Sequence, residues 1–199
     1  IEIMLAETND LACEFSETDW PILDLNDYHE PGVPEPPYPL HCEIGSGQEE
    51  PMPELAWVHK YEHALVIRKN CINGFIGGVV LGGRNEVVEF IKKYESNVLV
   101  VVGICTDICV LDFVCTMLSV RNFSIAGNIK PIPSLKDVVV YTPACVTYDL
   151  PRKAAGKLGL PPETAHPRDI MHHMGLKIMA DRGAILAHDL IFPNHRLKS

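Results

Sequence analysis

The stretch VLVVVGICTDICVLDFV, at positions 98–114, runs an apolar segment of strand length into two cysteines with Asp107 between them. Its first part has apolar residues at successive positions and no polar face, the pattern of a buried parallel strand. From Val110 the period changes. Val110, Phe113, Val114, Met117 and Leu118 fall at helical intervals on one face, so a helix is expected from about 108 to 121. A strand that turns straight into a helix is half of a βαβ unit, and open parallel sheets bind ligands beyond the carboxyl ends of their strands. Cys109 stands at such an end.

The rest of the chain follows the same alternation. A helix is expected over 1–17, strands over 20–25 and 63–68, a helix over about 85–94, strands over 97–103 and 137–141, a helix opened by Pro167, and an edge strand over 184–188. Strands and helices in alternation predict an α/β domain with a mostly parallel sheet covered on both faces, and 199 residues suit one such domain spanning 1–199.

Composition narrows the function. The formal charge is −9, with no basic stripe, which disfavours nucleic acid and anionic membrane surfaces and favours a small neutral or cationic ligand. The longest uninterrupted apolar run, 98–105, is far short of the roughly 20 residues that span a bilayer, so no transmembrane helix is expected. Seven cysteines, an odd count with several in apolar segments, point to free thiols, a reducing compartment and a cytoplasmic location. The acidic start IEIMLAETND has no signal-peptide pattern, and because it begins with Ile an upstream targeting segment stays open.

Cysteines in apolar runs are usually small core residues, and Cys105, Cys115 and Cys145 are read that way. Cys109 differs. If Thr106 or Asp107 caps the helix, Cys109 lies in its first turn, where free N–H groups and the helix dipole favour a thiolate and can hold an oxyanion. The C-x-x-x-C spacing is not that of a redox dithiol. Lys69, at the end of the strand expected over 63–68, would lie near Cys109 and lower its pKa, although a solvated lysine at a strand end is equally compatible with the sequence.

Between the first two strands lies a proline-rich segment, too long for an idle connection. It carries Asp27 and His29, two apart and so on one side of an extended chain, with His41 further on and Glu35 as a fourth possible ligand. One carboxylate and two imidazoles suit zinc, iron or manganese, and Tyr38 offers an aromatic wall. His166, His172 and His173 lack metal-site spacing and are read as helix-surface or supporting groups. The glycines of GFIGGVVLGGRN lack a phosphate-loop pattern and are read as permitting a turn near the pocket.

The motifs DYHEPGVPEPPYPLHC, RKNCINGFIGG, GICTDICVLDFV and AHPRDIMHHMGL together resemble the nicotinamidases of the isochorismatase-like cysteine hydrolases, the plant type most, from about Ile1 to Ala187. The resemblance implies a Rossmann-like three-layer α/β/α sandwich. It implies Cys109 as nucleophile, Lys69 as cationic partner, a cis Ile104–Cys105 peptide and an oxyanion hole from the N–H groups of Cys105 and Cys109. It further implies a divalent metal, zinc first, on Asp27, His29 and His41, with a fourth ligand that the resemblance does not assign. Tyr38 and Phe75 would contact nicotinamide, hydrolysed to nicotinate and ammonia in NAD salvage, and relatives commonly form homo-oligomers.

The family pattern also has a central first strand ending in a general-base aspartate, which this chain lacks. Without that strand its two neighbours are expected to lose their ladder partner and expose edges, and the polypeptide as it stands to be weakly active and poorly stable. A related hydrolase acting on another small amide or ureide, and an inactive scaffold, are the alternatives.

Overall fold

A computed structural model describes residues 1–36 and 38–192. Helix α1 (Glu2–Glu17) leads into strand β1 (Ile22–Asp27), and the proline-rich segment then closes with a 3-10 helix, Pro53–Lys60. Strand β2 (Ala64–Lys69) follows, then the one-turn helix α2 (Gly74–Gly77) and helix α3 (Glu86–Lys93). Strand β3 (Val98–Ile104) enters a π-helical turn, Thr106–Val110, that continues as helix α4 (Leu111–Ala126). Strand β4 (Asp137–Val146), helix α5 (Arg152–Lys157), helix α6 (Arg168–Asp181) and strand β5 (Ile185–Ala187) complete the order.

The expected elements are present with shifted ends. Strand β4 runs five residues past its expected end at 141, and a register irregularity in its pairing with β3 lies between Val101 and Gly103. Pro167 is the cap before α6 rather than its first residue. The long segment is not structureless. Besides its 3-10 helix it makes a parallel bridge between His29 and Glu43, with His29 N–H donating to the Cys42 carbonyl at 3.0 Å and Ile44 N–H to the His29 carbonyl at 2.9 Å.

All strand pairings are parallel, but the sheet is in two parts, β1 beside β2 and β3 beside β4 beside β5. Two unpaired neighbouring edges are what is expected where the central strand of the family pattern is lacking. The facing edges of β1 and β3 pair with no strand among the described residues. Between them lies an apolar slot of about 970 Å³, lined along β1 from Ile22 to Asn26 and along the whole of β3, with α1 contributing Leu11 and Phe15. No residue of β1 or β3 is fully buried, although VLVVVG has the composition of an interior strand.

Alternation along β4 sets the layers. Val138 and Val140 are buried in the core with Phe113, Val114 and Met117 of α4, while Tyr141 points the other way and donates its hydroxyl to Glu7 of α1 at 2.6 Å. Helices α1 and α4 therefore cover opposite faces, and the α/β/α layering holds. The segment Thr106–Ala126 is long and apolar enough to cross a membrane by length and composition, which corrects the expectation from uninterrupted runs. Here Val114, Met117 and Leu118 are buried in the core.

Candidate active site

The carboxyl ends of β1, β2 and β3 meet at one edge. Asp27 and Lys69 are the last residues of β1 and β2 and are direct partners in the parallel register. That register carries the Lys69 ammonium onto Asp27 Oδ1, and Lys69 also donates to the Cys71 carbonyl at 3.1 Å. Lys69 is only 4% exposed, so its charge is compensated inside the protein rather than by water. A Cβ on Gly77 would come within 2.4 Å of Lys69 Cβ. The glycine there permits α2 to lie directly on the lysine, a closer role than the turn the sequence was read to need.

The His29–Glu43 bridge folds the long loop back over Asp27 and brings His41 beside His29, with ring centroids 4.6 Å apart. One ligand atom each from Asp27, His29 and His41 lie within 4.8 Å of one another. Two details suit a cation. His29 Nε2 is buried with no hydrogen-bond partner, and His41 Nδ1 lies 2.8 Å from the Pro39 carbonyl, which can only accept. The proton of a neutral His41 is thereby held on Nδ1, leaving the Nε2 lone pair free. Glu35 Oε2 lies 3.8 Å from His29 Nε2 and 3.9 Å from His41 Nε2, at the rim of the trio. These residues fit a divalent metal by donor type and by the orphaned nitrogen.

Cys109 sits in the π-helical turn and lines the same cavity as Lys69. The capping expectation fails. Helix α4 starts after Val110 with no side-chain cap, the Thr106 hydroxyl is 2.9 Å from His172 Nδ1, and the Asp107 carboxylate is 2.7 Å from His166 Nε2. Lys69 acts on Cys109 in the expected direction, but the net result is not a thiolate. Burial pushes the Cys109 thiol up to about 11; the Lys69 charge lowers it, and Asp27, Cys105 and Glu35 raise it. Burial likewise pushes up Cys105. The Ile104–Cys105 peptide is cis.

Burial, followed by Tyr148, Cys109 and Cys105, raises the Tyr38 hydroxyl to about 12; its ring is 6.3 Å from that of His41, edge-on. Phe75 lies on α2, half-buried against the hydrophobic core. Cys145 is buried as expected, Cys115 is half-buried, and all seven cysteines are free. Of the two roles the sequence left open to His166, surface or supporting, it takes the buried supporting one. It lies ahead of α6, is 7% exposed, and stacks on Tyr148 at 3.8 Å. Only the nearness of AHPRD to a helix start hinted at it, because the partner Asp107 is 59 residues away.

The isochorismatase domain model matches residues 1–155. Nicotinamidase 1 of Arabidopsis thaliana is 44% identical over 192 residues, covering 96% of this chain and 75% of that protein. The pyrazinamidase/nicotinamidase of Streptococcus mutans superposes with a TM-score of 0.64 at 15% identity, over 94% of this chain and 86% of that one. The pyrazinamidase of Pyrococcus horikoshii, solved in complex with zinc, does so with a TM-score of 0.60 at 15% identity, over 94% and 85%. At such identities the two structures show the fold alone.

Proposed function

The chain belongs to the isochorismatase-domain family, and from that premise we propose that it hydrolyses nicotinamide to nicotinate and ammonia, with Cys109 as nucleophile. The observation that carries the reading is the convergence of Asp27, His29 and His41 within 4.8 Å, with Asp27 bonded to Lys69 and Lys69 sharing a cavity with Cys109. The 44% identity to a nicotinamidase supports the substrate. Free cysteines throughout support a reducing compartment, in keeping with a role in NAD salvage.

Asp27, His29 and His41 would hold a divalent metal, with Glu35 at the rim, and zinc, iron and manganese all suit these donors. Such an ion supplies a Lewis acid for a pyridine nitrogen and so orients the carboxamide. The chain's own groups do the rest. The Cys109 sulfur attacks the carboxamide carbon, N–H groups of Cys105 and Cys109 receive the oxyanion, and Lys69 stabilises negative charge beside the sulfur. The proton lost by the thiol passes to the carboxamide nitrogen, and collapse of the tetrahedral adduct breaks the C–N bond and expels ammonia. Water then cleaves the thioester, returning the thiol and releasing nicotinate. Tyr38, whose ring stands edge-on to that of His41, would wall the nicotinamide ring.

No carboxylate among the described residues is hydrogen-bonded to the Cys109 thiol. A positioned base contributes about 10²–10⁴-fold to such steps. The test is ammonia release from nicotinamide before and after chelation. Activity that falls at least tenfold with chelator and returns with zinc, iron or manganese supports the reading; hydrolysis indifferent to chelator would favour a metal-free relative acting on another amide or ureide.

A further inference from the structure

We infer that the buried pair of Asp107 and His166, backed by Gly175, is a positioning clamp that fixes the turn carrying Cys105 and Cys109. The inference rests on Cys109 being the nucleophile proposed above, but it stands on a separate set of contacts.

The hydrogen-bond arrangement of His166 is unusual. Its Nε2 lies 2.7 Å from Asp107 Oδ2 and its Nδ1 lies 3.1 Å from the Tyr148 carbonyl. A backbone carbonyl only accepts, so Nδ1 carries a proton. A carboxylate also only accepts, so a second proton lies between Nε2 and Oδ2. The pair thus holds one proton more than a neutral imidazole and a carboxylate, and both side chains are almost fully buried, at 8% and 5% exposure. A buried charge-assisted bond of this kind is costly to break from one side, because the partner is left uncompensated. Tyr148 stacks on the His166 ring with planes 12° apart and fixes its orientation.

Asp107 is gripped from the other side as well. A Cβ on Gly175 would lie 2.8 Å from Asp107 Cα and 3.1 Å from Asp107 N, so α6 meets the turn backbone to backbone and only glycine fits. One residue earlier, Thr106 is wholly buried and bonded to His172 of the same helix. The turn therefore has contacts from α6 and from the segment before it at two successive positions, both between Cys105 and Cys109. Neither contact reaches the metal trio. What they determine is where the Cys109 sulfur and the neighbouring N–H groups stand relative to the pocket.

The test compares His166→Ala, His166→Gln and Gly175→Ala with the unaltered chain by three readings: the rate of Cys109 alkylation by iodoacetamide in the native state, kcat and KM on nicotinamide, and zinc affinity. The clamp predicts that His166→Ala and Gly175→Ala each change Cys109 alkylation at least fivefold and lower kcat at least tenfold. KM and zinc affinity should stay within twofold, and alkylation of Cys13 on α1 should be unaltered. His166→Gln, whose amide can still donate to Asp107, should recover part of the loss, and it carries the test if His166→Ala does not fold.

The proposal is overturned if Cys109 reactivity stays within twofold in all three variants. It is equally overturned if Cys13 reactivity and zinc affinity change in step with Cys109, which would mark general loosening. Alkylation needs no substrate. A chain that released no ammonia would sink the nicotinamide reading while leaving the clamp measurable.

Discussion

At Cys109 two influences oppose each other, and burial wins. The nearby Lys69 ammonium favours the thiolate, but removal of the sulfur from water raises the thiol to about 11, and Asp27 and Glu35 add to the rise. The metal-free protein should therefore show a Cys109 alkylation rate that keeps climbing from pH 7 towards pH 11, which peptide mapping after timed iodoacetamide pulses would measure. A plateau below pH 8 would mean a stabilised thiolate instead. Cys109 was legible in the sequence because strand-to-helix junctions have a recognisable pattern. Its ionisation was not, because the outcome depends on how much water the fold removes and on which carboxylates arrive from β1 and the long loop. Asp27 and His29 were legible by their spacing, whereas the clamp through His166 required two residues that chain order keeps far apart.

Among the elements, β1 and β3 face each other across the slot with no strand of the described residues between them. Edge amides without ladder partners exchange with solvent at low opening cost. Amide exchange by NMR should show fast-exchanging amides within β1 and β3 alongside protected amides in β4, whose neighbours on both sides are paired; uniform protection across β3 and β4 would contradict the split sheet. The apolar run at 98–104 was readable as a strand because of its residues, but residue type cannot say whether a partner strand is present to bury it. Helix α2 offers a sharper probe. Gly77→Ala puts a methyl group 2.4 Å from Lys69 Cβ and should cost about 1–3 kcal/mol of stability, with a lower melting temperature and at least a tenfold loss of nicotinamide turnover. A variant as stable and active as the parent would show that α2 can move aside.

The same physics gives helix α6 a pH signature. Burial lowers the pKa of His172, against the raising influence of Asp107 and Asp169. A group with a depressed folded pKa is bound by more protons in the unfolded chain, so its contribution is present above the unfolded value of about 6.5 and is lost as pH falls through the folded one. Urea midpoints measured across that window should fall with pH, and His172→Gln should flatten the slope. A slope unchanged in the variant would assign the acid sensitivity elsewhere.

For the molecule as a whole, the trio of Asp27, His29 and His41 joins β1 to the long loop, and Lys69 joins Asp27 to β2 and lines the same cavity as Cys109. A ligand that binds only the folded state stabilises it by about 2.7 kcal/mol at one hundred times its dissociation constant. Zinc should raise the melting temperature of the chain and fail to do so in His41→Ala. The α/β layering was legible from alternating periods, because each strand and helix declares its own face. The division of the sheet was legible only through the family pattern, whose central first strand has no counterpart in the sequence, because period and residue type do not report which segments pair.

The most direct measurement is mass spectrometry of the acid-quenched protein after mixing with nicotinamide. The account predicts a nicotinoyl group bound as a thioester on the peptide carrying Cys109, absent from Cys109→Ala and diminished by chelator. Ammonia released at an undiminished rate by Cys109→Ala, or an acyl group found on another cysteine instead, would contradict it.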